Sequence, residues 1–252
     1  MSGTVGPRPE SVFNRFSFEF DGTDDFVNIG TTSLGITTAI SISAWVKIPT
    51  TNTGGGGSNI QEIICEDATS GSNRNWVLNW RGGSFNLWQF VIWNTDGSVN
   101  ILQGTGLTPN DGNWHHLLAT YDGTSNADGM KLYIDGGTPF TATASSIGIR
   151  STSSVEATIG ATSGGGALRL EGTVDEVAVW DSAINISDVW NGSGVPFDIS
   201  SSNPLSWWRM GDKATYSNPG GLGNWTLTDQ GSGGNDGTSN SMGETNRVLD
   251  TP

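Results

Sequence analysis

Along most of this chain apolar and polar residues alternate with a period of two. Phe16, Phe18 and Phe20 alternate with Ser17 and Glu19, and Ile40, Ile42, Ala44, Val46 and Ile48 alternate with Ser41, Ser43, Trp45 and Lys47. A two-residue period puts successive side chains on opposite faces of a β-strand. Segments 26–29, 62–66, 75–81, 85–93, 98–103, 113–121, 131–135, 140–143, 157–161 and 172–180 read as further strands. Turn residues punctuate them: Asp21-Gly22, Gly82-Gly83, Asp96-Gly97, Asp122-Gly123 and Gly136-Gly137. Asp-Gly between two alternating runs is a strong hairpin signal. One helical element is predicted, a short N-capped turn near 187–191 beginning Ser187-Asp188. Residues 1–15 read as an extended arm, 50–59 as a mobile glycine loop, and 193–252 as a tail with strand-like aromatic runs at 206–208 and 225–227.

Composition agrees with many short strands joined by tight turns: 37 of 252 residues are glycine and only 14% are charged. A formal net charge of −14 argues against nucleic acid or an anionic membrane as partner, since both select basic surfaces. It favours capture of cations. No apolar run approaches membrane-spanning length. The first residues lack the basic and apolar stretches of a secretory leader, which gives the expectation of a protein made and folded in the cytoplasm. Cys65, the one cysteine, reads as a buried apolar side chain in a strand.

Four sets of residues are candidates for chemistry. In the strand 172–180, strict alternation puts Asp175 on one face with Val177 and Val179, and Glu176 on the other with Val174, Ala178 and Trp180. A carboxylate among valines must be hydrogen-bonded, paired or bound to a metal; Asp175 is either a rim acid held by backbone N–H groups or part of a cation site. Glu62 and Glu66 fall on one face of their strand, but Ile64 stands between them where a glycosidase strand would carry an aspartate. His115 and His116 are adjacent and point to opposite faces, which suits structural roles. Trp76, Trp80, Trp88 and Trp93 lie in neighbouring strands, either as core or as a face on which sugar rings stack.

Five tags occur in order: Phe20-Asp21-Gly22-Thr23-Asp24-Asp25-Phe26, Ile42-Ser43-Ala44-Trp45-Val46, Trp114-His115-His116 through Tyr121-Asp122-Gly123, Leu132-Tyr133-Ile134-Asp135-Gly136 and Gly172-Thr173-Val174-Asp175-Glu176. Together they resemble the laminin-G-like, concanavalin A-like jelly roll over residues 16–192. The resemblance implies an all-β, two-sheet antiparallel jelly-roll sandwich. It also implies one structural calcium, its matching ligands being Asp175, Asp21 and Asp24. The tail is expected to add strands to the same sandwich or to a neighbouring subunit, covering an exposed edge. Because the tail also resembles those of bacteriophage virion proteins, the leading expectation is a non-catalytic virion subunit on the exterior of a capsid or tail. Its partners would be other virion proteins, copies of itself and a host surface glycan. The alternative is an extracellular carbohydrate-binding module; a glycoside hydrolase ranks behind both, and no membrane insertion is expected.

Overall fold

The computed structural model describes residues 14–252 apart from 53, 55–58, 69, 70, 72, 221 and 222. The arm expected at 1–15 and the glycine loop at 50–59 fall largely outside the described residues. In chain order the strands are β1 (Ser17–Asp21), β2 (Phe26–Ile29), β3 (Ile40–Lys47), β4 (Ile60–Asp67), β5 (Arg74–Arg81), β6 (Leu87–Trp93), β7 (Val99–Gly104), β8 (Trp114–Tyr121) and β9 (Met130–Ile134). They continue as β10 (Phe140–Ala142), β11 (Ala157–Ile159), β12 (Glu171–Trp180), β13 (Ser206–Trp208), β14 (Ala214–Tyr216), β15 (Trp225–Leu227), β16 (Gly237–Asn240) and β17 (Arg247–Val248). Two antiparallel sheets form the sandwich. The first runs β10-β9-β8-β3-β12-β1-β17, with β13 also on β12; the second runs β14-β15-β16-β2-β11-β4-β5-β6-β7.

The two inner faces meet in one apolar core. Phe18, Phe20, Ile40, Ile42, Val46, Leu117 and Val174 come from the first sheet, and Val27, Ile64, Trp76, Leu78, Trp88 and Phe90 from the second. Alternation puts these residues inside, and burying them from water is the main driving force for the fold. Gly160 shows how closely the layers approach. Its φ is +85°, and a Cβ there would sit 2.5 Å from the Phe20 ring, so only glycine fits.

Strand β12 changes partner halfway along one edge. Val174 pairs with Phe18 of β1, whereas Val177 pairs with Trp208 of β13. Between these pairings the register against β3 shifts by a bulge between Asp175 and Ala178, and Glu176 takes φ +47°. A bulge inserts one residue and reverses the facing of everything after it. Val174, Val177 and Val179 therefore all enter the core, while Ala178 and Trp180 face outward. Asp175 lies opposite Trp45 and so faces outward too, with Ala178 and Trp180 rather than with Val177 and Val179 as strict alternation predicts.

The outward side of the first sheet is covered by the chain's own segment 181–205. Leu118, Ala178, Trp180 and Trp207 pack there beneath Val189, Phe197 and Ile199. The helical element expected near 187–191 is a single 3₁₀ turn, Ile186–Asp188, in which the Asp188 carboxylate accepts from the Asn185 N–H at 2.9 Å. His116 is buried here between Trp45 and Trp190, with Ser43 Oγ 2.9 Å from its Nε2. Burial holds its pKa down at about 4, so it is a neutral packing residue near pH 7.

Candidate functional site

With one outward face capped by the chain itself, the outward side of the second sheet carries the open groove. It lies across β4 to β7 and encloses about 330 Å³. Strand register builds it from cross-strand rows. Arg81 stands opposite Ile60 at one end. Next comes a polar row, in which Glu62 faces Asn79, Asn79 faces Gln89 and Gln89 faces Gln103. An apolar row follows, Cys65, Val77, Val91 and Ile101. The far end holds Asp67 opposite Arg74, and Trp93 opposite Val99. Seven residues of strand separate Arg74 from Arg81, so the groove is about 20 Å long, room for a short chain of sugar rings.

A bulge on β4 produces this row of acids and amides. The pairing slips between Glu62 and Ile64, and both Ile63 and Ile64 enter the core. Glu62, Cys65 and Asp67 then face the groove. Glu66, opposite Trp76, faces the interior, where its carboxylate accepts from the Leu34 N–H, Ser33 Oγ and Asn75 Nδ2. The two glutamates therefore lie on opposite faces, not on one as the uninterrupted period predicts. Trp76, Trp80 and Trp88 are core residues; of the four tryptophans only Trp93 lines the groove.

Both ends of the groove carry an arginine stacked on an aromatic ring. The Arg74 guanidinium lies 4.1 Å from the centre of Trp93, and that of Arg81 lies 3.7 Å from the centre of Phe85. Arg74 is also clamped by Asp67, which accepts from its Nε and Nη2 at 2.9 Å each. Between the ends, Glu62 is 1% exposed and Asn79 3%. Glu62 Oε2, Asn79 Oδ1 and Arg81 Nε are buried without a hydrogen-bond partner in the chain. Burial pushes the Glu62 carboxyl well above the usual glutamate range, and the charge of Asp67 adds to the rise. Burial thus favours the protonated form of Glu62, which can donate as well as accept. The sequence signal for this face was the polar set Asn79, Arg81 and Gln89, alternating with Leu78, Trp80 and Trp88.

Of the three residues expected to ligate calcium, Asp21 and Asp24 gather and Asp175 does not. The carboxylates of Asp21 and Asp24 come together with that of Asp25, all within 4.8 Å of one another. Asp21 Oδ1 accepts from the N–H groups of Thr23 and Asp24, and Asp25 Oδ2 accepts from the Asp21 N–H and Asn246 Nδ2. Asp25 is raised to about 6, chiefly by burial and then by Asp21. These hard oxygens suit a divalent cation, and Asp21, Asp24 and Asp25 are the residues that would hold one. Asp175 is elsewhere, four residues along β12 from Glu171, the partner of Asp21; that is roughly 13 Å of strand. Its carboxylate accepts from Asn14 Nδ2 at 2.8 Å and from the Glu176 N–H at 2.9 Å. Glu176 beside it is held by Arg209 Nε at 2.9 Å and Trp207 Nε1 at 2.6 Å. The two acids fill the gap where β12 passes from β1 to β13, a structural task.

The family model described as the concanavalin A-like lectin/glucanases superfamily matches residues 21–190. Among solved structures, a Bacteroides ovatus ATCC 8483 protein provisionally described as a carbohydrate binding protein is similar at TM-score 0.61 and 15% identity, over 94% of this chain and 60% of that one. The chain thus spans 60% of that protein's length. The CBM40 of the Ruminococcus gnavus IT-sialidase is similar at TM-score 0.50 and 15% identity, over 68% of this chain and 93% of that one. No curated protein matches the sequence.

Proposed function

The chain belongs to the concanavalin A-like lectin/glucanase superfamily, and on that premise we propose that it is a non-catalytic carbohydrate-binding module whose ligand lies in the groove across β4 to β7. The observation that carries the reading is the row Glu62, Asn79, Gln89 and Gln103 on an otherwise apolar groove floor. Sugar hydroxyls donate and accept at once, and the amides of Asn79 and Gln89 answer both roles. Buried polar atoms with no partner in the chain, Glu62 Oε2 and Asn79 Oδ1, favour a ligand that supplies one. The groove's second acid, Asp67, is tied bidentately to Arg74 and is not available as a nucleophile, which supports binding over hydrolysis. The fold of the Bacteroides protein and of CBM40 supports this module over the virion subunit.

A glycan array followed by titration calorimetry tests the reading. The double variant Asn79→Ala/Gln89→Ala is expected to lose about tenfold or more in affinity, the size of one to two hydrogen bonds to a buried ligand. Unchanged binding in a folded double variant would move the ligand away from this groove.

A further inference from the structure

The two ends of the groove look alike and differ in charge. At the Arg74 end the guanidinium is neutralised by Asp67, to which it donates two hydrogen bonds. At the other end, among the described residues, Arg81 has no such carboxylate. Its row neighbours are Ile60 and Leu87, and the turn Gly82-Gly83-Ser84-Phe85-Asn86 beside it holds no acid. Stacking on Phe85 at 3.7 Å fixes the plane of the guanidinium and leaves its edge free to fork onto a planar acceptor. Its Nε is buried and lacks an acceptor among the described residues, a state that disfavours the empty groove and rewards an acceptor brought by a ligand. The nearest acid by register is Glu62, two residues along β4, and burial favours its protonated form. The charged residues lining the groove are Glu62, Asp67, Arg74 and Arg81. Asp67 is spent on Arg74, which leaves Arg81 as the cation without an ion pair among these four, on a chain whose formal net charge is −14.

From the uncompensated Arg81 and the unpartnered polar atoms beside it, we infer that the groove selects an acidic glycan, with a carboxylate or sulfate of one sugar forked by Arg81 and the neighbouring hydroxyls read by Asn79 and Gln89. The inference rests on the reading of this groove as the sugar site. It adds the ligand's charge and orientation: the acidic sugar sits at the Arg81–Phe85 end.

The test is calorimetry on the full chain with matched pairs, in the presence of a chelator so that no metal bridges the acids. The first pair is an oligogalacturonide and its fully methyl-esterified, neutral form; the second is a sulfated carrageenan oligosaccharide and the neutral agaro-oligosaccharide. The charged member of at least one pair is expected to bind about tenfold or more tightly than its neutral partner, the scale of a charge-assisted hydrogen bond. The pair that discriminates names carboxylate or sulfate as the group read. Arg81→Gln should reduce the preference to about twofold or less, by weakening the charged member much more than the neutral one. Arg81→Lys, which keeps the charge and loses the fork, should fall between, and the melting temperatures of both variants report that they fold. Equal affinity for charged and neutral members, or a preference that survives Arg81→Gln, overturns the acidic-glycan inference and leaves the sugar site standing. Absence of binding by every oligosaccharide, charged or neutral, overturns the inference together with the reading beneath it.

Discussion

Glu62→Gln isolates the electrostatics of the groove. The side chain is 1% exposed, one carboxylate oxygen has no partner, and Asp67 is a like charge on the same strand face. Burial therefore favours the protonated form, and the folded state holds that proton to higher pH than the unfolded chain. The sign follows: with more protons bound in the folded state, stability falls as pH rises from the unfolded glutamate pKa toward the folded one. Each pH unit in that window costs about 1.4 kcal/mol. The amide keeps the shape and removes the titration, so the variant should gain on the wild type as pH rises through that window. Urea unfolding of both proteins at pH 5, 6 and 7 measures it. Asp25, Glu66, Asp175 and Glu176 are raised as well, but they are common to both proteins and cancel in the difference. Parallel stability curves would refute the reasoning: Glu62 would then be ionised in the fold, and the groove would carry no net positive charge.

Arg209→Met should destabilise by about 3–5 kcal/mol in chemical unfolding at pH 8, because it strands the buried Glu176 carboxylate; adding Glu176→Gln should restore most of the loss. Gly136→Ala should lower the melting temperature and shift tryptophan fluorescence, since φ there is +66° and a Cβ would fall 2.0 Å from the Trp190 indole. His115 lies between the carboxylates of Asp135 at 2.7 Å and Asp111 at 3.2 Å, donates to both when protonated, and is raised above 6.5, chiefly by the Asp135 hydrogen bond. Its stabilising effect is therefore full below the unfolded histidine pKa and lost as pH climbs through the folded value. Proton NMR should place the His115 titration above 6.5, and Asp135→Asn should bring it down.

Sequence pattern was a sound guide where strands run without interruption. The alternation of β3 puts Ile40, Ile42, Ala44 and Val46 in the core as read, and Asp96-Gly97 marks the β6–β7 hairpin, with φ +88° at Gly97. It failed wherever a bulge intervened, because one inserted residue leaves composition untouched yet reverses every later side chain. The bulge after Glu62 divided two glutamates that the period placed together, and the one after Asp175 turned Val177 and Val179 inward, away from the face that Asp175 occupies. The groove escaped notice for a related reason. Asn79, Gln89 and Arg81 are ordinary strand polars singly, and only the pairing of β4, β5 and β6 aligns them. The cap formed by 181–205 is irregular and carries no period at all.

The shared edge of β12 has a kinetic side. Its first half closes on β1, but its second half waits for Trp207 and Trp208, while β2 waits for β16 roughly 200 residues later. Contacts so distant along the chain close slowly, so folding on a timescale of milliseconds to seconds is expected. A chain emerging from the ribosome would hold the buried acids Asp175 and Glu176 beside an unpaired strand edge until its last fifty or so residues arrived. Interrupting synthesis there would yield an aggregating species rather than a smaller working module.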